Sequence, residues 1–181
     1  MENRMEQLGS LVYTVHEGEK RLGKVGHTLL QKLFYLLQYG EGVELGYKYS
    51  LHYYGPYCRE LWSDLNLLDS HGVVKVDASS NGFGYRIGYG KNQTAAADLE
   101  GFVNPAVKEK VEKLLSLLGG EPVTTLEKLA TTHFVLGELN RRGKVYSEET
   151  VVSVVQALKP HLGPVDVTDA ITTLKKHQLI Q

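Results

Sequence analysis

Apolar residues recur at helical spacing in two stretches of the first forty positions. In residues 5–17 they form a single stripe, whose members are Met5, Leu8, Leu11, Val12 and Val15. In residues 27–40 they cover nearly the whole circumference of a helix, which is typical of a helix buried on all sides. We therefore predict a first helix over 5–17, a polar connector over 17–26, and a central buried helix that ends at Gly40.

The pattern changes twice around the pair Gly55 and Pro56. Residues 47–54 alternate between two faces, as the side chains of a β-strand do. Residues 56–71 then have leucines at helical spacing, with Pro56 in the first turn and Gly72 after the last. The sequence thus predicts a strand that passes directly into a helix at a Gly-Pro corner.

Two short apolar segments follow this helix, and a glycine-containing turn separates them. They predict a β-hairpin with strands at 73–77 and 83–90 around a turn at 78–82. The later strand has its aromatic side chains on one face and glycines on the other. We expect another part of the chain to approach that bare face closely.

Helical spacing dominates from residue 104 onward. Asn104 and Ser147 are predicted caps, a threonine caps a predicted helix over 124–143, and Asp166 caps the last helix. Residues 91–102 have no such spacing and are interpreted as a boundary.

The fold class predicted from these elements is α+β. A winged-helix-like N-terminal unit, in the order helix, strand, helix and β-hairpin, occupies residues 1–92. It is expected to pack on an all-helical C-terminal unit at residues 96–181.

Composition limits the class of function. The chain has 181 residues, 42% of them hydrophobic, and its net charge of −1 gives no general attraction for nucleic acid or anionic lipid. The single cysteine excludes an internal disulfide, and no histidine pair has the spacing of metal ligands, so we predict no cofactor. We find no apolar signal segment and no stretch long enough to span a membrane, and we expect a cytoplasmic protein.

Cys58 lies close to His52 and near the predicted start of a helix. A helix N-terminus stabilises negative charge and would lower the pKa of a thiol, so an enzyme with Cys58 as nucleophile is one hypothesis. A lone cysteine is more often a small buried apolar residue, and the sequence identifies no general base for it. We therefore expect no enzymatic activity and keep the Cys58 enzyme as the last alternative.

A DNA-binding transcriptional regulator is the first alternative, because the element order is similar to that of a winged helix. A helix-turn-helix needs two helices before its hairpin, however, and between Tyr54 and Val73 we find room for only one long helix or two very short ones. The charged residues of that helix are mostly acidic: Arg59, Glu60, Asp64 and Asp69. The hairpin adds only Lys75 and Arg86, so little phosphate neutralisation is expected and nucleic-acid binding is weakly supported.

The segments LLQKLFYLLQ, YSLHYYGPYCREL and LNLLDSHGVVKV together resemble the pattern of the YwgA-like proteins, which are distantly similar to the SocA-like, or Panacea, antitoxin domain. The pattern consists of a Leu-Gln-Lys helix, an aromatic strand ending in Tyr-Gly-Pro, a Glu-Leu pair and a closing Gly-Val. Its residues here are Leu30, Gln31, Lys32, Leu33, Tyr54, Gly55, Pro56, Glu60, Leu61, Gly72 and Val73. Two C-terminal segments are similar as well, so the resemblance covers most of the chain.

This resemblance implies a non-enzymatic role in binding a protein partner, which for some Panacea relatives is a toxin that they neutralise. We therefore expect a prokaryotic protein-interaction or regulatory module of antitoxin-like type, and we leave open whether it oligomerises. The expected interaction surface is the Gly-Pro corner and the hairpin beside it, with His52, Tyr54, Tyr57, Cys58, Arg59 and Arg86.

Overall fold

The computed structural model describes residues 2–79, 84–143 and 145–180, and these residues form an α+β fold, as predicted. The helices are α1 (Glu2–Leu22), α2 (His27–Tyr39), α3 (Arg59–Ser70), α4 (Gln93–Glu100), α5 (Pro105–Leu118), α6 (Val123–Arg141), α7 (Glu148–Leu158) and α8 (Pro164–Lys176). The strands are β1 (Val25–Gly26), β2 (Ser50–His52), β3 (Gly55–Tyr57), β4 (Val74–Ala78) and β5 (Tyr85–Tyr89).

The strands form two antiparallel sheets. In the larger sheet the order is β1-β5-β4, so that Ile87 of β5 lies opposite Val25 on one side and Val76 on the other. The smaller sheet is a hairpin of β2 and β3, in which Leu51 lies opposite Pro56. The predicted hairpin is thus confirmed as β4 and β5, although residues 80–82 of its predicted turn lie outside the described residues.

The larger sheet and the first three helices follow the chain order of a winged helix, namely α1, β1, α2, α3, β4 and β5. The single helix expected between Tyr54 and Val73 is confirmed as α3, while α2 is the second helix before the wing hairpin, and the β2–β3 hairpin is inserted between α2 and α3. Strand β1 is not predicted from the sequence, because its two residues are too few to give an alternating pattern.

Several predicted boundaries near the corner are wrong. The strand expected over 47–54 is reduced to β2, and Pro56 lies in β3 rather than in a helix. The helix expected from residue 56 begins at Arg59, and α1 continues through most of the predicted connector. The boundary expected over 91–102 contains α4, which has a single buried residue, Ala96, and therefore no apolar stripe.

The predicted helix caps are confirmed in two of four places. The side chains of Asn104 and Ser147 accept hydrogen bonds from backbone N–H groups at the starts of α5 and α7. At α6 the cap is Pro122 and not a threonine. At α8 the cap is Gly163, whose N–H donates to Asp166 Oδ2 at 2.9 Å, so Asp166 closes the first turn from inside the helix.

Helix α2 is the centre of the molecule, and nine of its residues in succession, from Leu29 to Leu37, are buried. It packs against α5, α6 and β3, while α1 packs against α4 and α5. One hydrophobic core therefore runs across the predicted division between 1–92 and 96–181, and that division stays a prediction. Within the described ranges, no helix combines the length and the hydropathy needed to cross a bilayer.

Candidate interaction site at the Gly-Pro corner

The two halves of the sequence pattern meet in space, because residues of α2 bind the backbone of the corner. The side-chain amide of Gln31 accepts a hydrogen bond from the N–H of Cys58 at 2.8 Å and donates one to its carbonyl at 3.0 Å. The next residue, Lys32, donates from Nζ to the carbonyl of Pro56 at 2.9 Å. All of these groups are buried, so the Gln-Lys pair fixes the path of β3 across α2.

Gly55 lies between α2 and α6. Its φ of +90° is in a region that side-chain-bearing residues rarely adopt. A Cβ at this position would lie 2.9 Å from Thr131 Oγ1 and 3.5 Å from Lys32 Cε. Glycine is therefore required at this position for two reasons: the backbone angle and the close approach to α6.

Lys159, which follows α7, holds the turn of the β2–β3 hairpin from the other side. Its ammonium group donates to the carbonyl of His52 at 2.7 Å and to that of Tyr53. It also forms a buried ion pair with Glu127 Oε1 at 3.2 Å, and the Nε2 atom of His161 lies at the same distance from that oxygen. The hairpin turn is thus attached to α6 and to the segment after α7.

Lys32 is the second buried lysine at the corner, with 2% of its surface exposed. Burial lowers its pKa to about 8; the nearby carboxylate of Glu127 raises that pKa, and the ammonium of Lys159 lowers it. Among the described residues, no carboxylate lies within ion-pair distance of Lys32 Nζ. Its positive charge is therefore held by a carbonyl group rather than by a counter-ion.

Cys58 is fully buried, and its sulfur is the N-cap of α3, accepting the N–H of Leu61 at 3.5 Å. Burial raises the pKa of this thiol by more than the backbone N–H groups at the start of α3 lower it, which argues against the hypothesis of a nucleophilic Cys58. A buried residue cannot contribute to an interaction surface either, and Cys58 is removed from the predicted set. The ring of His52 contacts Tyr57 instead.

The side of the molecule beside the corner carries a continuous group of rings, here called the aromatic surface: His27, His52, Tyr57, Trp62 and Tyr85. Ring centroids are 4.5 Å apart for His27 and Trp62, and 4.8 Å apart for Trp62 and Tyr85. Tyr57 connects this group to the hairpin, at 5.8 Å from His27 and 5.1 Å from His52. The surface therefore joins α2, α3, the β2–β3 hairpin and the wing strand β5.

The structure brings together only part of the predicted interaction set. His52 is exposed and Tyr57 half-buried on the aromatic surface, while Tyr54 is exposed on the adjacent turn. Arg59 and Arg86 are exposed, and neither has an ion-pair partner among the described residues. Sequence reasoning missed three members, which are His27, Trp62 and Tyr85. Trp62 could have been found, because as the single tryptophan it widens the apolar stripe of α3.

The acidic residues of α3 do not all lie on its exposed face. This corrects the argument that this helix presents mostly acidic side chains to a nucleic acid. Asp64 is buried and binds the Arg4 guanidinium through both oxygens, at 2.7 and 2.5 Å, and also accepts the hydroxyl of Tyr47 at 2.7 Å. Asp69 accepts the backbone N–H of Val76 at 2.9 Å. The exposed residues of α3 are one base, one acid, three neutral polar residues and one leucine: Arg59, Glu60, Ser63, Asn66, Ser70 and Leu67.

Comparison with protein-family models gives no match, and comparison with curated proteins gives none either. The resemblance to the YwgA-like proteins and the Panacea domain therefore stays a prediction. In the part of the chain that the structure describes, no three His, Cys, Asp or Glu side chains are grouped so that they could hold a metal ion.

Proposed function

We propose that this chain is a non-enzymatic regulatory module that binds a protein partner through the aromatic surface. The observation that carries the proposal is the continuity of this surface, in which five rings from five elements are linked in succession at centroid distances of 4.5–5.8 Å. Aromatic side chains are enriched at protein interfaces because they bury a large area at a low cost in conformational entropy.

The corner supports this role because it fixes the surface before a partner arrives. Gln31, Lys32 and Lys159 bind backbone groups on both sides of the hairpin turn. A surface held in its bound shape loses less entropy on association, and its contacts contribute more to affinity. The resemblance to the Panacea domain supports a toxin as the partner and an antitoxin-like role in a cytoplasmic setting.

The test measures binding to the protein encoded beside this chain's gene, after the two are expressed together. The double variant His52→Ala/Tyr85→Ser removes the exposed rings of the aromatic surface, and we expect at least about tenfold weaker binding by calorimetry. Phe102→Ser removes an exposed ring at the end of α4, and we expect unchanged affinity. Equal affinities for both variants, at unchanged melting temperatures, would contradict the proposal.

A DNA-binding regulator is the second candidate, and the winged-helix order of the elements favours it. The ion pair of Asp64 with Arg4 neutralises one of the three acidic charges of α3 that argued against it. Retention on a mixed-sequence duplex at low salt, lost steeply as salt is raised, would establish this candidate. Absence of retention at low salt would leave the protein-binding role.

The Cys58 enzyme is the weakest of the three hypotheses. Its thiol is buried, its pKa is raised, and the sulfur is already engaged as the cap of α3. A nucleophilic cysteine needs a thiolate that a substrate can reach.

A further inference from the structure

A small cavity of about 200 Å³ opens between α2 and the β2–β3 hairpin. One wall is a face of α2 and includes His27, Gln31 and Lys32, and the other is the hairpin with His52, Tyr54 and Tyr57. Pockets for drug-sized ligands have volumes of about 300–1,000 Å³, so this cavity suits a smaller molecule.

The buried charges beside this cavity do not balance. Lys32 and Lys159 are both buried, but Glu127 is the one buried carboxylate in their neighbourhood among the described residues. That carboxylate forms its ion pairs with Lys159 and His161. Lys32 keeps one hydrogen bond, to the Pro56 carbonyl, although an ammonium group can donate three. A buried cation without a counter-ion is costly, and in a cleft it marks a candidate binding group.

None of the described residues that line this cavity is an aspartate or a glutamate. Burial lowers the pKa of His27 to about 4, so its imidazole is uncharged at neutral pH. The amide of Gln31 is occupied on both sides by the backbone of Cys58. His27, His52 and Tyr57 present ring faces and edges to one another. A ligand that fits these walls has one negative charge and a flat apolar part.

We propose that this cavity binds a carboxylate attached to a small planar or aromatic group, with the carboxylate directed to Lys32 and the ring placed among the aromatic walls. Charge-assisted hydrogen bonds between ammonium and carboxylate are about twice as strong as neutral ones, and burial strengthens them. A free metabolite and the C-terminus of a peptide both offer this chemistry. The proposal does not rest on the protein-binding role, because the isolated chain is sufficient to test it.

The experiment titrates the full chain with benzoate at neutral pH and follows binding by calorimetry, with benzamide as the matched neutral compound. We expect saturable binding of benzoate and at least about tenfold weaker binding of benzamide, since only the carboxylate can pair with Lys32. N-acetylphenylalanine and its amide form the second pair. Tighter binding of N-acetylphenylalanine than of benzoate would assign the cavity to a chain terminus, and the reverse to a free metabolite.

Two variants locate the site. Lys32→Met should abolish the preference for benzoate, whereas Lys48→Met, which changes an exposed lysine, should leave it unchanged. The affinity of the original chain should also fall as pH is raised from about 7 to about 9.5, because Lys32 then loses its proton. The charged groups nearest to this ammonium are Glu127, which raises the pKa of Lys32, and Lys159, which lowers it.

Amide chemical shifts of the original chain keep the proposal testable even if Lys32→Met fails to fold. Benzoate should shift the resonances of Thr28, Gln31 and Tyr54, which line the cavity. Shifts confined to other parts of the chain, or equal binding of benzoate and benzamide, would overturn the proposal.

Discussion

Gly55 shows how much a single position can decide at the corner. A Cβ at this position would lie 2.9 Å from Thr131 Oγ1 of α6 and 3.5 Å from Lys32 Cε, while the φ of +90° lets β3 turn onto α2. Neither neighbour has room to move, because Thr131 and Lys32 are themselves buried. The sequence reveals the turn, but the contact with α6 depends on a helix more than sixty residues further along the chain.

Replacing Gly55 by alanine should destabilise the fold by about 2–4 kcal/mol, combining backbone strain with a clash against Thr131 Oγ1. Gly42→Ala is the matched control, because Gly42 also has a positive φ, of +68°, but nothing lies within 4 Å of its added Cβ. The control should lose only about 1–2 kcal/mol. Urea unfolding measures both values, and equal losses would show that the contact with α6 contributes nothing.

Side-chain roles at the corner were predictable only in part. The sequence marks Gln31 and Lys32 as members of a pattern, but their hydrogen bonds go to backbone groups of Cys58 and Pro56, which no spacing rule reveals. The role of Cys58 was predicted wrongly because α3 begins three residues later than expected, which makes Cys58 the N-cap, with its side chain buried in the core. Such errors arise because helix boundaries are set by tertiary contacts as well as by local sequence.

At the scale of elements, β4 forms an edge of the larger sheet, and an edge strand can pair with another chain. The N–H of Val76 does not point to β5 but is covered by the carboxylate of Asp69, from the end of α3. Asp69 therefore protects the exposed edge of the sheet, although its position in the sequence suggests a residue on a charged helix face.

Asp69→Ala should uncover this backbone donor. We expect a loss of about 1–2 kcal/mol in the free energy of unfolding, together with increased self-association through β4. Asn66→Ala on the exposed face of α3 serves as control, because its amide binds only the carbonyl of Trp62 within the same helix. Urea unfolding and sedimentation velocity measure the two effects. A variant as stable and as monodisperse as the control would refute this role for Asp69.

Elements with strong apolar periodicity were predicted well, and weak ones were not. Helices α2 and α5 follow from their buried stripes. Helix α4 was not predicted because Ala96 is its single buried residue. Strand β1 was not predicted because two residues are too few to form a pattern. Both depend on partners distant in sequence, α4 on α1 and β1 on β5, and local reasoning does not detect such pairing.

At the scale of the whole molecule, half-buried His27 and buried His133 make the free energy of unfolding depend on pH. Burial lowers the pKa of both His27 and His133 to about 4, from an ordinary value of 6.5. Between these values the unfolded chain binds protons that the folded chain does not. The stability contributed by each neutral histidine is therefore complete above pH 6.5 and is lost as pH falls through 4.

His133→Gln should make the fold less sensitive to acid, because this ring bridges Tyr35 and the carbonyl of Leu179 while remaining neutral. We expect the drop in urea midpoint between pH 7 and about pH 4.5 to be smaller than in the original chain. His71→Gln changes an exposed histidine, and its drop should match that of the original chain. If the urea midpoints of both variants drop equally between the two pH values, the titration of His133 does not contribute to the acid sensitivity of the fold.

The attachment of the hairpin turn to Lys159 has a consequence for synthesis. Lys159 follows Tyr53 by 106 residues, so a growing chain exposes the turn long before the residue that fastens it has been made. At translation rates of about 5–20 residues per second, that interval is roughly 5–20 s. During that time the nascent chain has the tyrosines of the turn but not their fixed arrangement, and a partner that needs the fixed surface meets it only after Lys159 has been synthesised.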